Sequence, residues 1–93
     1  MLLGPNYTDQ DYINLYVEQI RLLKRLQQQF QYEVNICAVQ GLSDRITKIV
    51  LTPLETAMET ITKDVKALQS SVAKTDPILY LRMIKRAGEL LDD

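Results

Sequence analysis

An all-α fold is predicted for this chain on three observations. Apolar residues recur at steps of three and four over long stretches, glycine and proline are absent from about 32 consecutive residues, and the breaks between stretches carry helix-capping sequences. The arrangement they imply is a long antiparallel helical hairpin, its second arm broken or kinked near Thr52-Pro53, plus a short C-terminal helix. The expected organisation is a single bundle-like domain over residues 1–93, with oligomerisation.

The first helix is expected over residues 9–40. After a lead ending in Pro5, Thr8 stands where a cap belongs, and Asp9 and Asp11 fall in the first turn, where carboxylates suit the positive end of the helix dipole. No glycine or proline follows until Gly41, so the helix can reach about 48 Å. A compact globule of this length has a radius of gyration of roughly 12 Å, so an unbroken first helix demands an elongated molecule. Along it Ile13, Tyr16, Ile20, Leu23, Gln27, Phe30, Val34 and Cys37 form a seam with the spacing of coiled-coil a and d positions. Leu15, Leu22, Leu26 and Ile36 widen that seam toward the stripe of a helix with more than one neighbour.

The turn is placed at residues 41–43. Gly41 follows the last periodic positions, and Ser43 with Asp44 behind it can cap a new helix. The competing reading keeps Gly41 inside one continuous rod at a cost of only about 1 kcal/mol. The next helices are expected over 44–51 and 53–74, because Thr52-Pro53-Leu54-Glu55 has the form of a capping box with proline at the first helical position. Leu54, Met58, Ile61, Val65, Leu68 and Val72 make a second seam that can face the first. Asp76 and Pro77 repeat the cap-and-proline signal and open a last helix over 77–91, with Leu81, Ile84, Ala87 and Leu91 expected on its buried side.

Composition agrees with this class and narrows the functions available. Hydrophobic residues make up 46% and charged residues 25%, so the chain can bury a core and is no disordered linker. Eleven Lys and Arg against twelve Asp and Glu leave a net charge of -1, which offers no field to hold a nucleic acid. No apolar run reaches the roughly 18 residues of a membrane span. Met1-Leu2-Leu3-Gly4-Pro5 lacks the basic and apolar regions of a signal peptide, and the single Cys37 has no partner for an internal disulfide. A cytoplasmic setting is expected, with signal-independent export still compatible.

Candidate chemistry is sparse. The sequence has no histidine, which removes the commonest general base and the commonest transition-metal ligand, and no cofactor or metal site is expected. Cys37 sits on the seam, where a thiol ordinarily acts as small apolar filler. Gly4, Gly41 and Gly88 form no phosphate-cradling loop. Glu55 and Glu59 are four apart and Asp92 and Asp93 adjacent, but Glu59 also stands four before Lys63, the spacing of an ordinary surface ion pair. The basic groups Arg21, Lys24 and Arg25, and Arg82, Lys85 and Arg86, are the one feature that suits an anionic substrate, and a small helical enzyme built on them is the third functional reading.

The leading expectation is a non-catalytic interaction or assembly module, an adaptor, small chaperone or complex subunit, that pairs with itself or with another helical protein. The residues expected to carry it are Tyr16, Ile20, Leu23, Gln27 and Phe30 on the first seam and Met58, Ile61 and Val65 opposite them. Gln27 has two readings: a buried amide that selects register at a cost in stability, or a side chain that simply meets water. The second functional reading is a structural protomer that stacks into a filament or secretion-type tube.

Overall fold

The computed structural model describes residues 6–91, so the N-terminal lead through Pro5 and the Asp92-Asp93 carboxylate pair lie outside the described residues. Within them the chain forms three α-helices, α1 over Asp9–Val39, α2 over Asp44–Thr75 and α3 over Pro77–Leu91. The all-α class holds. The molecule measures 50 × 26 × 19 Å with a radius of gyration of 16.7 Å, well above the roughly 12 Å of a compact globule of this size. The length of α1 accounts for that elongation.

Local chemistry explains most helix ends. Thr8 Oγ1 accepts from the Asp11 amide at 3.3 Å, while the Thr8 amide donates to Asp11 Oδ2 at 2.8 Å, a reciprocal capping box. At the far end of α1 the Gly41 amide donates to the Ala38 carbonyl and the Leu42 amide to the Cys37 carbonyl, both at 3.1 Å. This is the Schellman pattern, and it requires the left-handed backbone that Gly41 adopts at φ +66°. Gly41 therefore ends α1, and the continuous-rod reading is set aside. Ser43 Oγ accepts from the Ile46 amide at 3.3 Å and starts α2. Asp76 serves two helices, donating its amide to the Val72 carbonyl at 2.8 Å while Oδ1 accepts from the Leu79 amide at 3.1 Å.

The break expected at Thr52-Pro53 does not occur. α2 runs unbroken from Asp44 to Thr75 with Pro53 inside it, in place of separate helices over 44–51 and 53–74. Thr52 turns its hydroxyl back to donate to the Lys48 carbonyl at 2.6 Å and caps nothing ahead of it. Pro53 has no amide hydrogen to offer the Ile49 carbonyl, and both residues are exposed, so water can satisfy that group. Burial of Leu51 on one side of the proline and half-burial of Leu54 and Met58 on the other favour keeping the segment helical through it.

The core lies in the half of the molecule away from the Gly41 turn. Tyr12, Ile13, Tyr16 and Val17 of α1 meet Val65, Leu68 and Val72 of α2 and Leu79, Met83 and Ala87 of α3. Tyr16 contributes its hydroxyl as well, accepting a hydrogen bond from Gln69 Nε2 at 2.8 Å. The expected buried side of α3 needs correction: Leu81 is 65% exposed and Ile84 is also exposed, while Leu79 and Met83 take their place beside Ala87. Ile78, Leu79, Tyr80 and Leu81 form a continuous apolar run that fixes no phase by itself. The cap at Asp76 and the crevice between α1 and α2 choose the turn of the helix that enters, and the result is a strict step of four from Leu79 to Met83 to Ala87.

Candidate functional site

The helical faces expected to carry interaction are divided by the structure between core and surface. Tyr16 and Val65 are buried, and Ile20 and Ile61 pack half-buried against the same cluster, so these four serve the chain's own core. Phe30 and Met58 are half-buried in the distal half, and Leu23, also half-buried, lies level with the last described residue of α3. The cause is the length of α3. Its last described residue, Leu91, accepts a hydrogen bond from Lys24 Nζ through its carbonyl, a cation placed at the negative end of the helix dipole. Among the described residues no third helix roofs the hairpin from that level to the turn.

Gln27 falls directly beyond the end of α3 and is exposed, as are Gln28 and Gln31. The water-facing reading of Gln27 is the one the structure adopts, and the glutamine-rich stretch is polar because the roof has ended. Gln27→Leu is accordingly expected to change unfolding free energy by less than about 0.5 kcal/mol, the range of ordinary surface substitutions. Urea denaturation checks this, and a gain of several times that value would show that the amide is desolvated.

One exposed apolar stripe was concealed in the sequence by its neighbours. Ile46, Ile49, Val50 and Pro53 follow the spacing i, i+3, i+4, i+7 and all are exposed, Ile49 by 61%, while Leu51 alone in this segment is buried. The spacing was available to find it, but Leu51 lies among these residues and makes the whole run resemble seam. A second exposed apolar group, Ile78 and Leu81, sits on the outer side of α3 at the opposite end of the molecule.

The charged groups sort into paired and unpaired sets. Arg21 bonds Glu18, and Arg82 and Arg86 reach Asp9 and Glu89 at 3.4 Å each. Arg21 and Arg86 share one shallow groove between α1 and α3, and Arg82, Lys85 and Arg86 share another. Glu18 and Glu89 line these grooves as well, so the cations already face carboxylates; Arg25 lies in neither. The expected Glu59–Lys63 ion pair is absent. Instead Glu55, Glu59, Lys63 and Lys66 lie with Thr56, Met58 and Thr62 along one open face of α2. Cys37 is buried at the end of α1, in the filler position expected of it. Among the described residues no three side chains of the metal-binding types come together, and no helix is long and apolar enough to cross a membrane.

No protein-family model, curated protein or solved structure matches the chain.

Proposed function

We propose that this protein is a non-catalytic interaction or assembly module that works by burying helical faces against another helical surface, in the first instance a second copy of itself. The observation that carries the reading is the unroofed distal half of the hairpin, where α2 offers Ile46, Ile49, Val50 and Pro53 to solvent as one stripe. Exposed apolar residues scattered singly are ordinary, whereas four at helical spacing make a strip on which another helix can lie. The apolar area removed from water supplies the drive at roughly 25 cal/mol per Å².

The test is light-scattering mass over a dilution series. A mass above the 10.7 kDa of one chain that falls on dilution is the expected result. Placing lysine at Ile49 should shift that equilibrium toward monomer without loss of helicity, because the side chain has no role in the core. A chain that stays monomeric at high concentration would contradict the reading, and an Ile49→Lys variant that associates as well as the parent would remove the stripe from the contact.

A filament protomer is favoured by a separate observation. The most exposed apolar residues sit at both ends of the 50 Å rod, Val39 at 85% and Ile49 near the turn, and Ile78 at 73% and Leu81 on the other end. End-to-end contact between unlike patches does not close on itself, so mass would then grow without a limit as concentration rises.

A further inference from the structure

We infer that the open face of α2 around Met58 is a two-fold self-docking site, in which α2 of a second copy lies antiparallel along Glu55, Met58, Glu59, Thr62, Lys63 and Lys66. The inference rests on the assembly role proposed above and places the self-contact on a different face of α2 from the Ile46, Ile49, Val50 and Pro53 stripe. Its first support is position. The Tyr16–Gln69 hydrogen bond sets the levels of α1 and α2, and one residue back along α2 for each residue forward along α1 places Lys24 beside about residue 61. The described part of α3 reaches Lys24, so the centre of this face lies level with its last described residue.

The second support is the order of charge. Along this face the sequence runs acid, acid, base, base, at Glu55, Glu59, Lys63 and Lys66. A two-fold axis crossing α2 between Thr60 and Ile61 brings Glu55 opposite Lys66 of the second copy. The same axis brings Glu59 opposite Thr62 of the second copy, within one residue, about 1.5 Å of rise, of Lys63. The symmetry doubles both contacts, giving four pairs of opposite charge. A parallel arrangement would set each acid on its own image and each base likewise, so the same four residues select the antiparallel one.

The third support is that these charges are unused within the chain. None of the four is in an ion pair among the described residues, although Glu59 and Lys63 have the spacing for one. Glu55 and Glu59 are themselves like charges four residues apart, a repulsion that cations from a second copy relieve. Half-buried Met58, near the axis, gives the contact an apolar centre. Exposed ion pairs add little affinity singly, so their work here is orientation and register, with burial of Met58 and its surroundings supplying the attraction.

A charge-swap experiment tests this. All four residues are exposed, so E55K/E59K and K63E/K66E are expected to keep the helical circular dichroism of the parent. In sedimentation equilibrium at about 0.1 M salt each double variant should weaken dimerisation by about tenfold or more, because every cross-copy pair becomes like-charged. Mixed in equal amounts, one variant presents four lysines and the other four glutamates, and a heterodimer should form at least as tightly as the parent dimer. Salt near 1 M should weaken the parent and the mixed dimer alike. A parent dimer indifferent to both double variants would place the interface elsewhere and overturn the inference while leaving the assembly role standing. A parent that is monomeric to about 1 mM would overturn self-docking and the homotypic form of the assembly role together.

Discussion

Met83→Ala is expected to lower the unfolding free energy by about 3 kcal/mol, within the 2–5 kcal/mol typical of removing a large buried aliphatic side chain. Met83 is 0% exposed and lies where all three helices meet, among Tyr16, Leu68 and Leu79. The cost has two parts, the lost transfer of the side chain from water and the cavity that α3 cannot close without leaving its contacts with α1. For a domain whose total stability is of order 5–15 kcal/mol, that is a large fraction. Leu81→Ala, two residues away, removes a side chain that is 65% exposed and should change stability by less than about 0.5 kcal/mol. Urea denaturation of both variants measures the contrast. A reversed order would mean that α3 docks through Leu81 and Ile84 beside Ala87 and Leu91, as its sequence suggested, in place of Leu79 and Met83.

Pro53→Ala is expected to change stability in the opposite direction, raising it by about 2 kcal/mol. Proline in a helix interior costs about 3 kcal/mol relative to alanine, through the lost amide donor and the clash of its ring with the carbonyl four residues back. Part of the gain is returned, because replacing proline loosens the unfolded chain by about 0.4–1 kcal/mol. The sign is informative. If Thr52-Pro53-Leu54-Glu55 began a helix, Pro53 would occupy the first helical position, where it is well tolerated, and alanine there would bring no gain. Stabilisation by Pro53→Ala supports the continuous α2 seen over Asp44–Thr75, and a neutral or destabilising result supports a helix boundary.

The two predictions mark where sequence and structure part. Thr8, Ser43 and Asp76 each cap the helix that follows, and Gly41 ends the helix before it, because each of those signals is complete within a few residues. The tetrad at Thr52 has the same local form, yet its threonine bonds backward to Lys48. What separates the cases is context. Leu51 is buried and Leu54 and Met58 are half-buried, so burial runs across the proline and favours a continuous helix. A capping signal marks a possible helix start, and burial on both sides of it decides whether the start is used.

The candidate surface shows the same division. Tyr16, Ile20, Ile61 and Val65 share the periodicity of Leu23, Phe30 and Met58, and no property of the residues separates core from surface. The separation comes from the end of α3 at Lys24, which covers one half of the hairpin and leaves the other. Gln27 is the one seam residue that foreshadows this, a polar side chain just where cover ends. The self-complementary order of Glu55, Glu59, Lys63 and Lys66 is visible in the sequence as spacing. That none of them is in an ion pair among the described residues is visible only in the folded chain.

Sequence alone therefore determined the helical class, the helix starts at Asp9, Asp44 and Pro77 and the elongated shape, since each depends on interactions spanning no more than about one or two helical turns, while the φ of +66° at Gly41 decided between a turn and a continuous rod. Tertiary structure decided that α2 passes through Pro53, that Leu79 and Met83 face inward in place of Leu81 and Ile84, and that half of the hairpin is unroofed. Those outcomes depend on which apolar surfaces meet. Periodicity shows that a helix has a face to bury, and only packing against a neighbour of definite length and phase shows how much of that face is covered.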